Sequence, residues 1–190
     1  MKNLKLASFL FLAITVSGCA SIVGSTTDQT ISTSPGLRSA GALVEDEIIE
    51  NKILINLTQG SFEVSNSHIN AVSFNGNVLL VGQVPTEEAK IEAASIAANT
   101  RSVKKIHNEL QVAGPTSLLI RSNDTYLTSR AKVALLASSN ANGIRVKLIT
   151  ENGTVFLMGL LTREEANNAT EEIKTIAGVR KIVKVFEYID

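Results

Sequence analysis

Two tandem copies of a small α+β unit, each running α-β-β-α-β, are predicted by three features of this sequence. A block repeats at constant spacing, an Asn-Gly pair sits between apolar runs in each copy, and a helical Ala/Glu-rich stretch follows each pair. The repeat is direct: Asn75-Gly76-Asn77-Val78-Leu79-Leu80-Val81-Gly82 recurs as Asn152-Gly153-Thr154-Val155-Phe156-Leu157-Met158-Gly159 at an offset of 77. Glu87-Glu88-Ala89 then aligns with Glu164-Glu165-Ala166 and, after one gap, Val103-Lys104-Lys105-Ile106 aligns with Val179-Arg180-Lys181-Ile182. The copies span residues 44–112 and 124–189, with residues 113–123 expected as a linker.

Each element has a local reason. The patterns Ile49, Ile53, Leu57 and Leu127, Ala131, Leu135 place one apolar face on a first helix in each copy. The Asn-Gly pairs accept the positive backbone angles of a two-residue turn and so predict antiparallel hairpins. Residues 86–99 and 163–176 read as second helices, and Thr162 with Glu165 has the spacing of a capping box. Residues 105–112 and 181–189 alternate as half-buried strands: Ile182, Lys184, Phe186 and Tyr188 on one side, Val183, Val185, Glu187 and Ile189 on the other. A strand, a crossover helix and a strand give one parallel pairing, so each unit is expected to be a three-stranded mixed sheet packed against two helices. Units of under 70 residues bury little core alone, which predicts that the copies pack together.

Composition narrows the function. The 190 residues hold 18 basic and 18 acidic side chains. Without Lys2 and Lys5 the balance is 16 to 18, unlike the basic surplus of a nucleic-acid binder. One cysteine and two histidines supply neither a disulfide nor a conventional closed zinc site. His68 and His107 accompany no nucleophile motif, and the glycines belong to strand-turn-strand segments with no phosphate-cradling loop. Adjacent glutamates on the helices point about 100° apart and cannot converge as an acid–base pair. No catalytic residue, metal ligand or cofactor is expected.

The first 18 residues read as a signal peptide: Lys2 and Lys5 precede an apolar stretch, Ser8 to Val16, too short for a permanent span. Val16-Ser17-Gly18-Cys19 follows and resembles the bacterial lipobox, whose cysteine is acylated and becomes the new amino terminus. Two or three acyl chains at Cys19 make anchorage effectively permanent. Ala20 stands where an aspartate would resemble an inner-membrane retention signal, which points to the outer membrane. Residues 19–43, rich in Ser, Thr, Gly and Pro, are expected as a flexible tether with a reach of about 25 to 30 Å.

The first helix of copy two carries more apolar surface than one core needs. Leu127, Ala131, Ala134 and Leu135 share one face, while Tyr126, Arg130, Val133 and Ala137 form a second stripe roughly 120° away. A tyrosine beside a cation and small aliphatic groups suits the headgroup layer of a membrane. The alternative places Tyr126 and Val133 against copy one or against Leu118-Leu119-Ile120. Charge separates the copies: residues 44–57 carry Glu45, Asp46, Glu47 and Glu50 against Lys52, whereas residues 124–137 carry Asp124 against Arg130 and Lys132. An anionic surface is expected to repel the first helix and accept the second, leaving copy one as a scaffold or protein-facing module.

Two α-β-β-α-β units with Asn-Gly, apolar residues and Gly at the end of the second strand resemble BON domains over nearly all of residues 44–189. Ser122-Asn123-Asp124-Thr125 and the run from Thr150 to Leu160 resemble the dual-domain lipoproteins of that family. The resemblance implies a non-enzymatic periplasmic protein that binds anionic phospholipid, supports envelope integrity and concentrates at division sites. The family's lipid-contacting helix is similar to residues 124–137, with a tryptophan at Tyr126 and basic residues at Arg130 and Lys132. The implied contacts are Tyr126, Leu127, Arg130, Lys132 and Val133, and the implied headgroups are phosphatidylglycerol and cardiolipin. The competing expectation is an adaptor whose same stripe meets outer-membrane assembly proteins or peptidoglycan machinery.

Overall fold

The computed structural model describes residues 36–190. The first unit comprises α1 (Ala40–Leu57), a short α2 (Phe62–Ser65), β1 (His68–Phe74), β2 (Asn77–Val84), α3 (Glu87–Ala98), β3 (Lys105–Asn108) and β4 (Gln111–Val112). The second comprises α4 (Leu118–Ala137), a 3-10 turn (Gly143–Arg145), β5 (Val146–Glu151), β6 (Thr154–Leu161), α5 (Arg163–Lys174) and β7 (Lys181–Tyr188). In each, the hairpin pairs antiparallel and the central strand then pairs parallel with the last, as β1-β2-β3 and β5-β6-β7.

In the first unit the last strand is interrupted. Leu110 turns into the helix-side core, and Asn108 closes the kink by accepting from the Leu110 amide and donating to the Lys90 carbonyl. β4 then resumes alongside β2.

The helices begin where side chains satisfy free amides. Ser39, Thr86, Ser117 and Thr162 each cap one, and Thr162 with Glu165 forms the expected capping box. Two boundaries differ from the composition reading. The Ser39 and Ser117 caps start α1 at Ala40 and α4 at Leu118, so residues 40–43 belong to a helix rather than a tether, and residues 118–123 to a helix rather than a linker. Gly36 lies against Arg145 and the Leu160 carbonyl, and Arg38 stacks over the Phe74 ring while pairing with Asp46. Cys19 and residues 20–35 lie outside the described residues.

Three apolar clusters hold the molecule together. Ile49, Ile53 and Leu57 of α1 join Ala89, Ala93 and Ala97 of α3 over one face of the first sheet. Leu127, Ala131 and Leu135 of α4 join Ala166, Ala169 and Ile173 of α5 over the matching face of the second. The third cluster lies between the sheets: Val72, Phe74, Leu79 and Val81 meet Phe156 and Met158, with Val183 and Val185 packed alongside. The alternation read along β7 thus separates Ile182 and Phe186, toward the helices, from Val183 and Val185, toward the sister sheet. The order of layers is helices, sheet, sheet, helices.

Candidate lipid-contact surface

The first helix of each unit is pinned by a buried carboxylate. Asn75 and Gly76 adopt φ of 52° and 79°, and Asn152 and Gly153 adopt 47° and 70°, the doubly left-handed turn that Asn-Gly favours. Such a turn points two consecutive amides inward. Asp124 accepts both, from Asn152 at 2.7 Å and Gly153 at 2.8 Å, and Asp46 accepts those of Asn75 at 2.9 Å and Gly76 at 3.0 Å. Asp46 takes further bonds from the Ser73 hydroxyl and Arg38. Burial pushes the Asp46 carboxyl up, but Ser73, the two turn amides and Arg38 together hold it below the ordinary carboxylate value. Sequence reasoning counted both aspartates as surface charge. Their regular distance before each Asn-Gly pair, 29 and 28 residues, was the available signal.

With α4 fixed by Asp124 and by Leu127, Ala131 and Leu135, its opposite face is set. Tyr126 is 58% exposed and Val133 67%, and the Arg130 guanidinium sits 5.8 Å from the centre of the Tyr126 ring. The alternative in which this stripe packs against copy one is therefore excluded. The stripe is also longer than expected. Because the helix starts at Leu118, Leu119 falls within about 20° of Tyr126 at 100° per residue and is 80% exposed. From Leu119 to Ala137 the face runs about 27 Å at 1.5 Å per residue, and no exposed carboxylate lies on α4.

Two of the expected contacts belong elsewhere. Leu127 is 1% exposed and is a core residue, because it lies some 100° round the helix from Tyr126, over the sheet. Lys132 folds back across β5, its Nζ donating to the Val146 carbonyl at 2.8 Å. Burial first, then nearby Arg38 and Lys147, lower its pKa. The structure thus brings together Tyr126, Arg130 and Val133, adds Leu119, and removes Leu127 and Lys132.

The charge contrast between copies also needs correction. On α1, Asp46 points into the turn, and Glu50 accepts from the Ser73 amide and pairs with Lys147. Only Glu45 and Glu47 remain on its outer surface, so the balance read along residues 44–57 overstates the repulsion.

The BON-domain family matches residues 45–114 and 123–190, one match for each unit just described. This chain belongs to the BON-domain family. Among similar proteins, the Outer membrane lipoprotein DolP of Haemophilus influenzae is 36% identical over 188 residues, covering 98% of this chain and 96% of its own length. The 21 kDa hemolysin of Actinobacillus pleuropneumoniae is 39% identical over 152 residues, covering 80% and 78%. The Osmotically-inducible protein Y of Escherichia coli is 25% identical over 193 residues, covering 96% of each. Among the described residues no helix is long and apolar enough to cross a membrane, and no group of three or more His, Cys, Asp or Glu could hold a metal ion.

Proposed function

We propose that this chain is an outer-membrane lipoprotein, acylated at Cys19 and facing the periplasm, that binds anionic phospholipid through α4 of its second BON domain. In that role it supports envelope integrity at division sites and catalyses nothing. The observation that carries the reading is the exposed face of α4, where Tyr126, Arg130 and Val133 share one stripe with Leu119. The ring and aliphatic groups suit the boundary between headgroup and acyl chain, while Arg130 can pair with phosphate. The outer-membrane assignment draws support from the similarity to DolP across nearly the whole of both chains.

Isotope-labelled protein spanning residues 34–190, the unit that contains all three cores, is titrated with phosphatidylglycerol or phosphatidylcholine micelles. Shifts clustered on residues 118–137 with the anionic lipid alone support the proposal. Shifts elsewhere, or equal shifts with both lipids, overturn it.

A further inference from the structure

Each of the two sheets has two outer edges, and an edge strand offers a row of backbone donors and acceptors to any chain that extends beside it. Three of the four edges are closed from within the molecule. On β1 the Ser73 amide donates to Glu50, and the Asn75 and Gly76 amides that follow donate to Asp46. On β5 the Thr150 amide donates to the Thr128 hydroxyl, and the Val146 carbonyl accepts from Lys132. The third edge is broken: β3 has four residues, stops at the kink that turns Leu110 inward, and resumes as the two residues of β4.

The outer edge of β7 is open. This strand pairs with β6 without interruption from Lys181 to Tyr188, and among the described residues no strand and no side-chain hydrogen bond covers its other side. Ile182 and Phe186 on the helix side, and Val183 and Val185 on the side of the sister sheet, are only half-buried. Their neighbours on β6, Val155, Phe156, Leu157 and Met158, are buried because strands flank them on both sides. One further strand beside β7 completes both apolar layers.

Charge along the edge selects the occupant. Lys181 and Lys184 are exposed on the strand and Arg180 just before it. Among the described residues no carboxylate pairs with any of the three, and Lys184 reaches only the Asn167 amide oxygen, at 3.3 Å. On α5, Glu171 pairs with Lys174 and Glu172 accepts from Ser138. The far end of the strand is mixed: Arg163 stacks over Tyr188 there, next to Glu164 in sequence, and Glu187 accepts from Asn77 at 2.7 Å. The half from Arg180 to Lys184 therefore carries three unanswered cations. A second copy does not suit this edge. Antiparallel self-pairing that sets Lys181 against Glu187 also sets Lys184 against Lys184, and the adjacent register sets Lys184 against Val185 and matches no charges.

We infer that the outer edge of β7 is a strand-addition site for an extended acidic segment of a partner protein. Running antiparallel, the segment sets one acid against Lys184 and the next, three residues on, against Lys181. Apolar residues before and between these acids cover Val185, Phe186, Val183 and Ile182, and the two backbones continue the sheet. No residue of α4 takes part, so the site does not depend on lipid contact by that helix.

The test titrates isotope-labelled residues 34–190, without lipid, with a short end-capped synthetic peptide of the pattern apolar-apolar-Glu-apolar-apolar-Glu. Amide shifts confined to β7 and its flanks, with slowed hydrogen exchange of the β7 amides, are the expected result. Lys184→Glu, at an exposed position, is expected to weaken binding about tenfold, and a peptide with lysine in place of the glutamate that faces it to restore binding. Far-UV circular dichroism confirms that the variant folds. Methylating the peptide nitrogens that donate to β7 is expected to abolish binding. Absence of binding, equal binding by the methylated peptide, or indifference to Lys184→Glu overturns the inference. Protection of the β7 amides that rises with protein concentration alone, together with a dimer in sedimentation, assigns the edge to a second copy and also overturns it. None of these outcomes bears on α4, whose test reads lipid.

Discussion

Replacing Asp124 or Asp46 by alanine tests whether a carboxylate from the first helix holds each hairpin. Asp124 accepts two turn amides, at 2.7 and 2.8 Å, and a buried hydrogen bond to a charged group contributes about 1.5 to 3 kcal/mol. Asp124→Ala is therefore expected to cost about 3 to 5 kcal/mol, most of the stability of a small domain. Asp46 holds the equivalent amides and adds Ser73 and Arg38, so Asp46→Ala is expected to cost about 1 to 2 kcal/mol more.

Urea unfolding can separate the two changes. Both tyrosines, Tyr126 and Tyr188, lie in the second unit, so tyrosine fluorescence reports that unit while far-UV circular dichroism reports both. Asp46→Ala is expected to move the dichroism transition ahead of the fluorescence transition, and Asp124→Ala to move fluorescence at least as far as dichroism. Acid adds a sign. The folded pKa of Asp46 lies below its ordinary value, so its stabilisation is complete above that ordinary value and disappears as pH falls through the lowered one. Asp46→Asn is expected to flatten that acid limb. If both alanine variants unfold within about 1 kcal/mol of the parent, the clamp is incidental and the reasoning fails.

Other consequences are as direct. A Cβ on Gly82, at φ 131°, overlaps the His68 carbonyl oxygen, whereas one on Gly159 meets that of Arg145 at 2.8 Å. Gly82→Ala is therefore expected to lower the melting temperature more than Gly159→Ala. Phe156→Ala empties the core between the sheets and is expected to cost about 3 to 5 kcal/mol, destabilising both units together in the same urea assay. Burial first, then Arg121, lower the His68 pKa against the opposing pull of Glu151. Its contribution is thus complete above the ordinary histidine value and lost as pH falls through the folded one. Melting curves at successive pH values are expected to show a smaller acid loss for His68→Gln than for the parent.

The fold was legible because short-range chemistry and a duplication agreed. Asn-Gly turns fixed the hairpins, and the periodicities of α1 and α4 named Ile49, Ile53, Leu57, Leu127, Ala131 and Leu135, all buried. The extra turns of α1 and α4 were hidden because Ser39 and Ser117 cap helices whose first residues read as tether and linker. The exposed stripe was legible to the extent that it is a helix face: angular spacing alone groups Tyr126, Arg130 and Val133 and puts Leu127 on the core side. Leu127 and Lys132 entered as contacts only through the family resemblance, and the sheet covers one while a β5 carbonyl captures the other. Charge read along one helix failed for a related reason. Asp46 and Glu50 look like surface acids in the sequence, and only the turn amides and Lys147 show that they point inward.

The proposed lipid binding depends on Tyr126 entering an anionic headgroup layer. The chain has no tryptophan, so Tyr126→Trp places a single indole reporter on the ridge. On titration with phosphatidylglycerol vesicles its emission is expected to shift to the blue and to become shielded from an aqueous quencher, while phosphatidylcholine vesicles leave it unchanged. Adding Arg130→Glu is expected to abolish the shift. An indole that stays fully quenchable at saturating phosphatidylglycerol contradicts the claim.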